Sequence, residues 1–336
     1  MKRKKIINIL MLFIVTSLVL FLSLKDNFHE VMKQITTMNP FWILACLFLI
    51  LSYFFFRAIT TMILAKKFNK NFSIIKALKL EFEMAFFNGV TPFATGGQPY
   101  VIYSLKKSNL KMVEATNVTI QNFIIYQIAL VLLGLYAIIS NYIFKQIPNN
   151  NILNELAFIG FFINSLVIIF LFVISFAKKT NRYLLKKIIK LLVKIKIIKN
   201  EKEFNDKFEN NLNEFHIGAE LLLKNKWKFI TLIICQIVSL ISIYLIPLSI
   251  LYGMGDYTSY NSVICIILTA YVVLIGSFIP MPGGTGGIEY AFVVFFGYFI
   301  TGAKLSSVML IWRFITYYFG IIIGAILLNF RKEEKL

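Results

Sequence analysis

Phe82-Glu-Met-Ala-Phe-Phe-Asn-Gly-Val-Thr-Pro-Phe-Ala-Thr-Gly-Gly-Gln-Pro-Tyr-Val-Ile-Tyr-Ser-Leu105 is apolar enough to enter a membrane, yet Pro92, Gly96, Gly97 and Pro99 break it in the middle. Both flanks are basic, with Lys66, Lys67, Lys70, Lys76 and Lys79 before it and Lys106, Lys107 and Lys111 after it. A single crossing would leave one cluster outside, whereas Lys and Arg mark the cytoplasmic side of membrane helices. The stretch therefore reads as a hairpin that enters from the cytoplasm and returns to it. An ordinary kinked helix is the competing reading. Irregular backbone at membrane depth survives only inside protein or beside a wet cavity, so the Pro/Gly cluster is a candidate site.

The surroundings place this hairpin in a polytopic membrane protein. The chain of 336 residues is 58% hydrophobic, and its apolar residues form runs near 20 long rather than amphipathic stripes. Roughly 20 apolar residues cross the hydrocarbon core. Such runs occupy residues 6–24, 41–65, 117–140, 156–177, 229–251, 262–279 and 305–330, which excludes soluble folds. A net charge of +19 would suggest nucleic acid in a soluble protein, but here the basic residues sit at the ends of apolar runs and set orientation. No nucleic acid is expected as partner. Cys46, Cys235 and Cys265 lie within apolar runs and show no ligand spacing, so neither disulfides nor metal are expected. The start, Lys2 to Lys5 before an apolar run, reads as a retained first helix rather than a cleaved signal. Between residues 178 and 199 stand nine basic residues and no acid, interleaved with Leu and Ile. That run suits either a helix on an anionic inner leaflet or a solvated basic loop.

A second broken stretch spans 262–300 around Pro280-Met-Pro-Gly-Gly-Thr-Gly-Gly287. The last helix ends at Arg331 and Lys332, which places the C-terminus inside, so this stretch too must turn back, this time entered from outside. Residues 41 and 229 precede Pro92 and Pro280 by the same interval, and a shift of 188 maps Pro92 onto Pro280 and Gly96 onto Gly284. The fold expected is all-α: six crossing helices plus two broken re-entrant hairpins in an inverted repeat, with both termini in the cytoplasm of the cell. It forms a single membrane domain, 1–336. Residues 1–40 are the first helix and outer loop, 41–141 and 229–330 the repeat units, 142–228 the connecting helix and basic cytoplasmic segment, and 331–336 the tail. In transporters of this kind the substrate binds where discontinuous helices meet near the midplane.

A helix restarting after Pro/Gly presents free N–H groups and a positive dipole end, both suited to phosphate. The candidates are Pro92, Gly96, Gly97, Gln98 and Pro99 in the first cluster and Pro280, Pro282, Gly283, Gly284 and Gly286 in the second. Ionisable residues within apolar segments are functional candidates by default, and they are few: Arg57, Glu81, Glu83, Glu289 and Arg313. Arg313 is expected to clamp a phosphate through its bidentate guanidinium. Glu289 is expected to hold a cationic headgroup or tune Arg313, and a purely structural Glu289–Arg313 pair stays open beside that. Arg57, Glu81 and Glu83 could also lie at the inner interface. No metal cluster, nucleophile elbow or phosphate loop occurs, and no catalytic residue or cofactor is expected.

Asn88-Gly-Val-Thr-Pro-Phe-Ala-Thr-Gly-Gly-Gln-Pro-Tyr100, Pro280-Met-Pro-Gly-Gly-Thr-Gly-Gly-Ile-Glu289 and Trp312-Arg-Phe-Ile-Thr-Tyr-Tyr318 together resemble the lysylphosphatidylglycerol synthase transmembrane family, the flippase-like module of the multiple peptide resistance factors. The resemblance covers residues 41–330. Gln98 stands where the commoner form of the first motif has an acidic residue. Full-length members join this module to a cytoplasmic domain that transfers lysine from lysyl-tRNA to phosphatidylglycerol. The resemblance thus implies translocation of anionic or lysyl-modified phospholipids, with a separate soluble lysyltransferase as a possible partner. The chain is read as the membrane module alone. Lysyl transfer by the chain itself, and small-solute transport, are the rival expectations.

Overall fold

A computed structural model describes residues 28–147, 151–183, 187 and 201–329. The expected crossing at 6–24, the tail at 331–336 and most of the basic run at 178–199 lie outside the described residues.

The described residues form helices and no strand. A short helix, α1 (Phe28–Thr37), leads to α2 (Pro40–Ala65). Asn39 starts α2 by accepting the Phe41 N–H, and Pro40 occupies the first turn, where its missing N–H costs nothing. The first broken hairpin is α3 (Ile74–Gly89), a 3-10 turn at Pro92–Ala94, and α4 (Gly97–Lys107). Then come α5 (Met112–Phe144), α6 (Asn151–Phe176) and α7 (Glu201–Lys224). The helix α8 (Lys226–Tyr244) bends at Leu245 into α9 (Ile246–Gly253). The second broken hairpin is α10 (Ser262–Gly276), a 3-10 turn at Pro282–Gly284, and α11 (Gly287–Phe296). The chain closes with α12 (Gly302–Arg313), a π-helical turn at Phe314–Tyr318, and α13 (Phe319–Asn329).

Five spans are long and apolar enough to cross a membrane: α2, α5, residues 154–176 of α6, α8 with α9, and α12 with α13. These match five of the six expected crossings. The arms of the hairpins hold 16, 11, 15 and 10 residues. At 1.5 Å per residue even the longest reaches only about 24 Å, short of the roughly 30 Å hydrocarbon core. Neither stretch is a continuous kinked helix.

The two halves match, but at an offset of 190 residues rather than 188. Pro92 pairs with Pro282, not Pro280, because both turns are built by the same bonds. The Ala94 N–H donates to the Thr91 carbonyl and the Gly284 N–H to that of Met281. The Thr95 and Thr285 hydroxyls donate to the Pro92 and Pro282 carbonyls at 3.0 and 2.7 Å. Positive φ occurs at Phe93 and Ala94 (both 53°) and again at Gly283 (61°) and Gly284 (63°). At this offset the starts of α4 and α11, and of α5 and α12, also coincide. In packing, the entry helix of each hairpin lies against the closing helix of the other half, α3 against α13 and α10 against α5. The two turns touch each other, and α2 lies along α8.

The α3–α13 crossing is close because Gly320 and Gly324 share one face of α13. A Cβ on Gly324 would collide with the Phe82 carbonyl, and one on Gly320 would sit 3.2 Å from the Ala85 methyl. Membrane helices gain contact this way, since lipid offers no hydrophobic drive to associate. The segment before α8 is docked rather than loose. Asn117 donates to the Phe215 carbonyl at 2.6 Å, Gln121 to that of Gly218 at 3.0 Å, and the His216 ring meets the Ser175 carbonyl at 2.8 Å.

Candidate functional site

Where the two turns meet, the chain leaves a cavity of about 540 Å³. The first turn gives it Phe93, Ala94, Thr95 and Gln98; the second gives Ile279, Met281, Gly283, Gly284 and Ile288. Its remaining wall comes from α2 (Tyr53, Phe54, Arg57), α3 (Glu81, Met84, Ala85, Asn88), Val101 of α4, α5 (Thr119, Asn122, Phe123, Tyr126, Gln127, Leu130), Asn164 of α6, and Val273, Gly276 and Ser277 at the end of α10. Interrupted helices thus border a hollow with polar groups in its wall, as broken backbone inside a membrane protein requires.

The restart of α4 is internally capped. Thr91 accepts the Gly96 N–H at 2.9 Å and Asn88 accepts the Gly97 N–H at 3.0 Å. A Cβ on Gly97 would collide with that Asn88 side chain, so glycine is required for the cap itself. Two of the backbone donors expected to stand free for phosphate are therefore engaged. Pro99 is exposed and, like Pro280 and Pro282, does not line the cavity.

The second turn is held by an ion pair. Glu289 accepts the Gly286 N–H at 2.7 Å through one oxygen and the Arg313 Nε at 2.7 Å through the other. Arg313 also donates to the Gly283 carbonyl at 3.0 Å and lies 4.7 Å from the centre of the Tyr317 ring. The Tyr317 hydroxyl donates to the Gly89 carbonyl at 2.8 Å, which ties this assembly to the first hairpin. Neither Glu289 nor Arg313 lines the cavity. Their pairing is the structural alternative left open by the sequence.

Of the other ionisable candidates, Arg57 and Glu81 reach the cavity and Glu83 does not. Arg57 donates through Nε to Glu81 at 2.8 Å, and its guanidinium stands 5.3 Å and 5.2 Å from the Tyr53 and Tyr126 ring centres. Thr61 donates to the second Glu81 oxygen at 2.6 Å. Asn122 in turn donates to Thr61 at 2.8 Å and accepts from Gln236 at 3.3 Å. A charged pair this deep survives because its members compensate each other and are hydrogen-bonded onward. Glu83, also buried, accepts the Tyr100 hydroxyl at 2.7 Å.

The sequence reading missed the aromatic and carboxamide residues of the wall: Tyr53, Tyr126, Asn88, Asn122, Gln127 and Asn164. A signal for three of them existed. Asn122 and Gln127 stand in an otherwise apolar crossing run and Asn164 in another, where uncharged amides are costly unless they face protein or water. No group of metal-ligating side chains occurs among the described residues.

The family model described as lysylphosphatidylglycerol synthase TM region matches residues 8–324 of the chain. No curated protein matches its sequence.

Proposed function

The chain belongs to the lysylphosphatidylglycerol synthase transmembrane-region family, and from that premise we propose that it is a membrane lipid translocase handling phosphatidylglycerol or lysyl-phosphatidylglycerol-type lipids. The observation that carries this reading is the cavity of about 540 Å³ at the meeting of two half-length hairpins. A headgroup could occupy it while the acyl chains stay in lipid, with wall groups from both halves replacing its water. Arg57, held in place by Glu81, is then the charged contact, while Glu289 and Arg313 keep the second turn in shape.

A second reading is favoured by the family's description: the chain is the membrane part of a lysyltransferase whose catalytic protein is separate. The two separate in one preparation. Purified protein in vesicles should move acyl-labelled phosphatidylglycerol or its lysyl ester between leaflets, and Arg57→Ala should slow the transfer at least about tenfold, the scale of one charge-assisted contact. Vesicles in which no lipid moves, but in which an added soluble lysyltransferase forms lysyl-phosphatidylglycerol from lysyl-tRNA only when the chain is present, would reject the translocase reading.

A further inference from the structure

The charge and hydrogen-bonding character of the cavity point to a narrower ligand class. We infer that it takes a polyol headgroup, a glycerol or a hexose carried on a lipid, rather than an ammonium. The inference rests on the translocase reading above and deepens it.

The charged residues in the lining are Arg57 and Glu81, and they are paired with each other, so the wall carries no net charge. Both Glu81 oxygens are engaged, one by Arg57 and one by Thr61, which leaves no unengaged carboxylate oxygen to meet a lysyl ammonium. Arg57 commits its Nε to Glu81, and its Nη2 meets only the Met84 sulfur at 3.9 Å, so the outer end of the guanidinium can meet the phosphodiester of a lipid, while the Gly96 and Gly97 amides are capped by Thr91 and Asn88.

What remains uncommitted both donates and accepts. Tyr53, Tyr126 and Gln98 line the cavity, and their hydroxyls and amide form no side-chain hydrogen bond among the described residues. The Asn88 amide keeps its nitrogen after accepting from Gly97, and Gln127 keeps its oxygen after donating to Asn164. Phenols and carboxamides match hydroxyl groups because each side of the contact can supply a proton and a lone pair.

The test uses the full chain in phosphatidylcholine vesicles with trace acyl-labelled lipids of four kinds: phosphatidylglycerol, a monohexosyl diacylglycerol, lysyl-phosphatidylglycerol and phosphatidylethanolamine. Transfer of one or both polyol lipids at least about tenfold faster than the two ammonium lipids is expected, and which of the two moves identifies glycerol or hexose as the source. Tyr126→Phe, which removes one hydroxyl and keeps the ring, should slow the polyol lipids by about three- to tenfold. Gln98→Glu, isosteric but charged, should shift preference toward lysyl-phosphatidylglycerol. Faster transfer of lysyl-phosphatidylglycerol by the unaltered chain, or equal rates for all four lipids, overturns the polyol assignment and leaves translocation standing. Transfer of none overturns both.

Discussion

Lys67, just past the end of α2, has a buried ammonium with no partner among the described residues. Burial, and then the nearby Lys228, lower its pKa to about 8. The folded state therefore holds this proton less tightly than the unfolded chain, where a lysine titrates near 10.4. The unfolded state binds more protons between those values, so stability rises with pH across that window. Lys67→Met should be more stable than the unaltered protein at pH 7, and the gap in thermal midpoint should close between about pH 8 and pH 10. A gap independent of pH would refute the assignment. Other residues were less legible from sequence. Arg57, Glu81, Glu289 and Arg313 stood out because a charge in an apolar run is conspicuous. Which of them meet the cavity was not readable, since that depends on how four separate helices converge. Tyr53 and Tyr126 carry no such mark, because tyrosine is common in membrane helices.

At the scale of elements, the first broken hairpin was legible because Pro/Gly in the middle of an apolar stretch agreed with like charge on both flanks, and the second because a like Pro/Gly cluster agreed with the crossing parity set by Arg331 and Lys332. The close crossing of α13 on α3 was not, although Gly320 and Gly324 stand four residues apart in the sequence. Spacing shows that two glycines share a face, but not that another backbone lies against it. Gly324→Val should drive a branched side chain into the Phe82 carbonyl and destabilise the protein by about 1–3 kcal/mol, the usual cost of overpacking. A lowered thermal midpoint in detergent measures this, with Ile322→Val, on an exposed position of the same helix, as the unaffected control.

For the whole molecule, the doubling was legible from equal spacing, while its register was not. Aligning the first proline of each cluster led to Pro280, and only the turn hydrogen bonds identify Pro282 as the counterpart of Pro92. The topology expected from charge, with both termini in the cytoplasm, makes a definite forecast. Lys107→Cys, at the end of α4, should resist a membrane-impermeant thiol reagent applied from outside to intact cells, and Thr258→Cys should react. Cys46, Cys235 and Cys265 are buried and should contribute little background. Both positions labelling from the same side would reject the opposed hairpins. Asp256, in the loop that holds position 258, accepts from Lys304 at 2.7 Å. Burial opposes its ionisation, but the bonds from Lys304 and Ser259 prevail and hold its carboxyl below the usual range, so this loop keeps its pairing at neutral pH.

The two turns follow one backbone path at unequal cost. Glycine adopts positive φ freely, so residues 283 and 284 sit there relaxed, whereas Phe93 and Ala94 each bear about 1–2 kcal/mol of conformational penalty. One spring in the pair is loaded and its twin is slack. A rearrangement that unwinds the turns recovers energy at residues 92–94 and none at 282–284, which makes the molecule mechanically one-sided despite its matched halves.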